Sequence, residues 1–490
     1  MMIMKNRYLI LLLMVSGLFQ ACSNWLDVRP RSEMKEDDLF EVEEGFKNAL
    51  NGAYIQLAEG ALYGKNLTMY LPELLENHYT TPTDKTSAEY AISQFDYKQS
   101  DVETLIGQIW KSYYTAIVHL NNILENLKNS TVHFSYGNDR LIEGEALGLR
   151  AFLHLDILRW FVASPALLQS SDLTIPYAEE MSKDPNRFRR RTYEEVITCI
   201  RRDLDAAEKL LEEDPIVVLP EGEKPEDDWQ YYRQVRFNYY AVLATKARFY
   251  LWLGGEENRQ KAGEYARKVV DAAYEDGTLK FPLADEAYMN GNDKNLVMSC
   301  EHIWGVQNPD HQSLVDPFFK EDGKNFRATQ QIALLNNNYE LSVHPNDIRM
   351  KLKRYWEEVT GTTGKRMTYY YKYTGSDAYS ALNLVPVIRV AEMYLICAET
   401  LPGTEGKKYW TDYRVARNMN NSVDEELSTP EKMKNQLEKE YHKEFYGEGQ
   451  AFFWHKRWNA TESSWKAPKV WTFYPEAYVL PIPDNQMQFE

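Results

Sequence analysis

Apolar residues recur at helical spacing through much of the chain. Phe46, Ala49, Leu50 and Ala53 stand at i, i+3, i+4 and i+7, which is one face of a helix. The same period in Ile106, Ile109, Trp110, Tyr113, Ile117 and Leu120 predicts a helix over 102–127. A third helix, over 141–161, carries Gly144, Gly148 and Ala151 on one stripe. Glycine inside a helix costs about 1 kcal/mol relative to alanine, so two on one stripe point to close approach of a neighbour. Val196, Ile200, Leu204 and Ala207 predict a helix over 193–211. Ala241, Ala244 and Ala247 repeat the small-residue device over 237–253, and Gly254-Gly255 stops that helix. Another helix is expected over 261–273. Paired helices with alanine at the contacts and a unit of about 34 residues look like tetratricopeptide hairpins, which stack into a solenoid.

From 279 to 384 the helical period fades and Asn, Asp, Gly and Tyr become frequent. Short extended runs at 302–304 and 368–371 predict isolated strands in an irregular region. Helices return at 390–399, 409–418 and 430–446, and the remaining chain reads as loop and turn. The fold class read from the period is therefore mainly α, with tetratricopeptide-like helix pairs beside an irregular subdomain that has a few short strands.

The N-terminus has a different pattern. Lys5 and Arg7 precede an apolar run over 8–19, too short for a spanning helix of about 20 residues. The run ends in Ala21-Cys22, which resembles a bacterial lipobox and marks Cys22 for lipidation. The expected organisation is a signal peptide at 1–21, a lipidated tether at 22–35 and one domain at 36–490. Within it, scaffold helices fall at about 36–60, 102–161, 191–275 and 385–446, and irregular binding regions at about 61–101 and 280–384. No later segment is apolar enough to span a bilayer.

Composition narrows the function classes. The net charge of −17 leaves no basic nucleic-acid footprint. Four cysteines, at 22, 199, 300 and 397, are too few for a disulfide framework, and Cys199 and Cys397 sit in apolar helical patterns as buried thiols. Aromatics reach 13%, and tyrosine, with its apolar body and polar tip, serves wet binding surfaces as well as cores.

Several short segments, in order along the chain, are similar to those of one known protein family. Cys22-Ser23-Asn24-Trp25-Leu26-Asp27 with Pro30 is similar to that family's start. So are Trp110, Tyr113, Ile117 and Asn121-Asn122 to one of its helices, and Gly144-Glu145-Ala146 with Leu149-Arg150-Ala151-Phe152 to the next. Asp203-Leu204 with Ala207, Arg389-Val390-Ala391-Glu392 with Ala398-Glu399, Glu444-Phe445 with Glu448-Gly449, Lys456-Arg457-Trp458 and Leu480-Pro481-Ile482-Pro483 follow in the family's order. Glu440-Tyr441 and Ala451 depart from its usual Glu-Arg and Arg. Together these segments resemble the SusD/RagB family of outer-membrane nutrient-binding lipoproteins of Bacteroidetes. The resemblance implies a mainly α fold, in which four tetratricopeptide-like helix pairs form a scaffold beside an irregular ligand-binding subdomain containing a few short strands. It implies a lipid-anchored, surface-exposed outer-membrane protein that binds a glycan, or a peptide in the RagB branch. It also implies delivery to a SusC-like TonB-dependent transporter, without catalysis, cofactor or nucleic acid. Alternatives are a protein-binding helical scaffold and a surface glycoside hydrolase.

The residues themselves carry no Gly-x-Ser-x-Gly elbow, His-Glu-x-x-His helix or Walker loop. The glycine-lysine segments at 361–365 and 403–407 lack phosphate-loop spacing and read as turns with a solvated lysine. Glu143, Glu145, Glu392 and Glu399 belong to scaffold helices, as do His119 and His154. The acidic stretch 221–228 lacks calcium-loop spacing and reads as a solvated loop. No metal site is read. Sugar rings have apolar C–H faces and a hydroxyl rim, so a binder needs aromatic platforms beside short polar groups. The segment 63–97 has that mixture, with Tyr63, Asn66, Tyr70, Phe95 and Tyr97. Asn77, His78, Tyr79 and Tyr90 are its preferred ligand-binding residues. Trp229, Tyr231 and Tyr232 form a second aromatic group, and Tyr339 and Tyr379 are weaker candidates.

Overall fold

The computed structural model describes residues 39–80, 84–182, 184–290, 295–319, 329–350, 355–360, 366–373, 383–420, 429–467 and 474–487. The expected signal peptide, Cys22 and the tether lie outside the described residues, as do the 361–365 turn and Tyr379.

Long helices follow one another across the first half: α1 (Glu43–Ala58), α2 (Leu71–Leu75), α3 (Ala88–Ser93), α4 (Ser100–Lys128), α5 (Asn138–Phe161), α6 (Tyr193–Leu210), α7 (Tyr239–Leu253) and α8 (Glu256–Val270). Their ends have chemical causes. Thr192 and Glu195 form a reciprocal capping box that starts α6. Asn238 accepts the Ala241 N–H at the start of α7, and Gly254, at φ 69°, ends it. The irregular part adds β1 (His302–Gln307), α9 (His311–Phe319), β2 (Thr329–Gln330), α10 (Ile332–Asn338), β3 (Trp356–Thr360), β4 (Arg366–Tyr370) and β5 (Leu384–Arg389). The last helices are α11 (Val390–Thr400), α12 (Gly403–Ala416), α13 (Pro430–Glu444) and α14 (Gln450–Trp458).

The scaffold is a stack. α1 packs on α4, α4 on α5, α5 on α6, α7 on α8, α8 on α11 and α11 on α12. The glycine stripe is one of its contact lines. A Cβ on Gly144 would lie 2.7 Å from Leu211 Cγ, and one on Gly148 would lie 2.7 Å from the Phe237 ring. The fold is mainly helical and tetratricopeptide-like, as the periodicity indicates.

Three local expectations are corrected. The extended runs are not isolated: β1 pairs antiparallel with β5, and β4 lies between β2 and β3. The 403–407 segment is no turn but the first turns of α12. The chain after 446 holds a further helix, α14, buried through Phe452, Phe453 and Trp454.

A buried ion network ties the irregular part to the scaffold. Arg389 donates to Glu301, Glu444 and Glu448, and Arg417 donates to Glu301 and Glu444. Arg349 bridges Asp347 and Glu440. Each charge has hydrogen-bonded partners, the condition under which ions are tolerated in a core.

Candidate functional site

The segment 63–97 divides into a buried inner half and a partly exposed outer half. A single π turn, Asn66–Tyr70, leads into α2. Asn77 follows at φ 54°, a left-handed conformation that asparagine tolerates better than most residues. Its Nδ2 donates to Leu75 O at 3.3 Å.

Asn77, His78 and Tyr79 were expected to face a ligand; their side chains are instead in the core, at 2%, 0% and 2% exposure. Tyr79 donates its hydroxyl to Met69 O at 2.9 Å. His78 stacks on Tyr446 at 5.1 Å between ring centroids, and its Nδ1 lies 2.6 Å from Glu73 Oε2. Glu73 also accepts the N–H groups of Gly447 and Gly449, each at 2.9 Å, which docks the Glu-Gly loop onto α2. The polar and aromatic mixture here satisfies a buried junction. Tyr63 is likewise buried and donates to Asp156 at 2.7 Å.

The outer half stays near solvent. Ser87 caps α3, and Tyr90, one turn in, is half-buried. Tyr70 donates to Glu89 Oε1 at 3.0 Å and ties α3 to the inner half. Tyr97 donates to Ala477 O, joining the segment to the C-terminal turn. Beside this joint lies an open cleft of about 600 Å³, lined by Tyr97, Lys98, Glu103, Ile106 and 481–484. That size suits a small ligand, and its wall combines an aromatic ring with charged groups of both signs.

The second aromatic group is more exposed. Tyr232 is 79% exposed and Tyr136, on the adjacent loop, 60%. Gln230 holds the two loops together, donating to Tyr136 O and Asn138 Oδ1. Trp229 is half-buried under Arg236, which lies 4.1 Å from its ring. Tyr339 is buried and donates to Lys443 O, so it is a core residue.

The scaffold readings hold. Glu392 takes a paired contact from Arg248 and Glu399 one from Arg457, while Glu145 accepts a single bond from Arg233. His154 accepts the Ala178 N–H and donates to Arg150 O; burial holds its pKa down at about 3. Glu143 is half-buried, where burial and Asp139 raise its pKa, and His119 is exposed. Cys199 and Cys397 are buried free thiols.

Sequence reading passed over Glu76, Glu438, His442 and His455, which the fold gathers at α2, α13 and α14. The four-residue spacing of Glu438 and His442 on one helix face was the available signal.

Among the described residues no helix is long and apolar enough to cross a membrane. Residues 24–251 match a SusD-like family model described as starch-binding associating with outer membrane, and residues 302–473 match the SusD family model. SusD-like protein P38 of Formosa agariphila is 24% identical over 209 residues, which cover 42% of this chain and 38% of that relative. A SusD superfamily protein from Bacteroides thetaiotaomicron superposes with a TM-score of 0.69 at 19% identity, covering 91% of this chain and 97% of the other. Surface glycan-binding protein A from Bacteroides fluxus gives 0.66 at 19% identity, with 91% and 96% covered. The same-named protein from Bacteroides thetaiotaomicron, in complex with laminarihexaose, gives 0.62 at 14% identity, with 91% and 97% covered. At these identities the structures establish the fold. With two SusD models matched in succession along most of its length, the chain belongs to the SusD/RagB family.

Proposed function

We propose that the protein is a surface lipoprotein of the outer membrane, anchored through Cys22, that binds a glycan and passes it to a SusC-like TonB-dependent transporter. The observation that carries this reading is the pair of family-model matches, one of them described as starch-binding at the outer membrane. The laminarihexaose complex of a protein with this fold supports a carbohydrate as ligand. The role is capture, not turnover.

Within the proposal, the ligand engages the outer half of the 63–97 segment, with Tyr90 and the cleft beside Tyr97 as contacts. A tyrosine ring covers the apolar face of a sugar, while Lys98, Glu103 and Asp484 can bond hydroxyls. Calorimetry against a panel of soluble oligosaccharides, with peptides as a second panel, tests it. One glycan class should bind, and Tyr90→Ala should weaken it roughly thirtyfold with unchanged circular dichroism. Loss in Tyr232→Ala with full binding in Tyr90→Ala moves the site to the Tyr136–Tyr232 loops. Binding of peptides alone replaces the glycan reading by the RagB one. Delivery is tested separately, by recovery of a barrel transporter with the protein from native membranes.

A further inference from the structure

A second cluster of chemistry lies where α2, α13 and α14 pack, and it shares no lining residue with the cleft at Tyr97. One ligand atom from each of Glu76, His442 and His455 lies within 4.8 Å of the others, and all three residues are buried. His455 Nδ1 is 2.7 Å from Glu76 Oε2, and its Nε2 is 3.2 Å from Glu438 Oε1. Glu438 and His442 stand four residues apart on α13 and project from the same face.

From these contacts we infer that Glu76, His442 and His455, with Glu438 beside them, form a site for a divalent transition metal of the zinc type.

Four observations support it. The first is an orphaned acceptor: among the described residues Glu76 Oε1 has no hydrogen-bond partner, although the residue is only 3% exposed. An unpaired buried carboxylate oxygen is costly, and a cation is the partner that removes the cost. The second is charge. Two carboxylates, Glu76 and Glu438, converge on the one buried His455 ring, an acidic surrounding that suits a cation. The third is the orientation of His442. Glu73 accepts two backbone N–H groups, so the third contact is His78 Nδ1–H donating to it. His78 Nε2 lies 2.7 Å from His442 Nδ1, so one ring nitrogen of His442 is held by the chain that runs through His78 to Glu73. The other, Nε2, lies 3.1 Å from the Ser463 hydroxyl. A ligating histidine whose other N–H is held by a polar chain is the usual outer-shell arrangement of protein metal sites. The fourth is access. Glu438 keeps 14% side-chain exposure, and the covering residues Ser463 and Ser464 are half-exposed.

The donor set fixes the metal class. Two imidazoles and one carboxylate suit zinc and its first-row neighbours, whereas calcium takes oxygen donors. A metal on a ring nitrogen replaces any proton which that nitrogen carries, and the proton leaves to solvent.

The test uses the mature, metal-stripped chain and zinc alone. Equilibrium dialysis in zinc buffer should give one tight equivalent, and His442→Gln and His455→Gln should each weaken it at least tenfold. The exposed His119 and His133 serve as the control: His119→Gln with His133→Gln should leave the tight equivalent in place. Crystals soaked in zinc and measured at its absorption edge give an answer that needs no variant. An anomalous peak between Glu76, His442 and His455 is the expected result. No peak there, or equal zinc binding by folded His442→Gln and wild type, overturns the proposal.

Discussion

His78 Nε2 lies 2.7 Å from His442 Nδ1, although 364 positions separate the two residues. The contact joins the irregular segment after α1 to the end of α13. It explains why a polar residue in a loop is fully buried: both ring nitrogens are used, one by Glu73 and one by His442.

His78→Ala is therefore expected to act on stability first. It removes the ring stacked on Tyr446 and deprives Glu73 and His442 of one partner each. The expected loss is on the order of 3 kcal/mol, read as a lower denaturation midpoint. A variant with wild-type stability that fails only to bind glycan would return His78 to the ligand site.

Glu444→Gln probes the ion network. The carboxylate serves Arg389 and Arg417 at 2.8 and 2.7 Å; burial pushes its pKa up, but those guanidinium groups outweigh burial and hold it well below the usual range. Leaving guanidinium charge uncompensated in the core costs about 3–5 kcal/mol. Urea denaturation should show the loss, and a change below about 1 kcal/mol would mean that water or the remaining acids replace Glu444.

Two glycine substitutions should move in opposite directions. A Cβ on Gly148 meets the Phe237 ring at 2.7 Å, so Gly148→Ala should destabilise by about 1 kcal/mol after the gain in helix propensity. Gly107 in α4 has nothing within 4 Å of its would-be Cβ, and Gly107→Ala should stabilise by up to about 1 kcal/mol. Thermal melts of both variants check the sign; stabilisation by both would place the α5 contact line looser than described.

His455 sets a pH dependence in metal-free protein. Burial lowers its pKa, but Glu76 and Glu438 outweigh burial and raise it to about 9. The folded value lies above the unfolded one, so this stabilisation is complete below about pH 6.5 and is lost as pH rises through 9. Unfolding free energy should fall across that window, and His455→Gln should remove that part of the slope. An identical slope in the variant would assign it to other groups.

The helices were legible in sequence because a buried face imposes a 3.6-residue period that single residues cannot hide. Ile106, Ile109, Trp110 and Tyr113 recur on that period, and all four are buried. The close contacts at Gly144 and Gly148 were legible for a related reason, since glycine is costly inside a helix and two on one stripe point to a neighbour too near for a side chain. Family membership was legible as ordered short motifs, several of which are now seen as core chemistry, such as Arg389 with Glu444 and Glu448. What tertiary structure decided was the side of each residue in the aperiodic stretches. Asn77, His78, Tyr79 and Tyr90 have the same composition whether they line a wet surface or a satisfied interior; only the docking of α13 and the 447–449 loop buries the first three and leaves Tyr90 near solvent. The Glu76–His442–His455 cluster was invisible for the same reason. Its members come from α2, α13 and α14, and no local pattern records which distant helices will share a face once the chain has closed on itself.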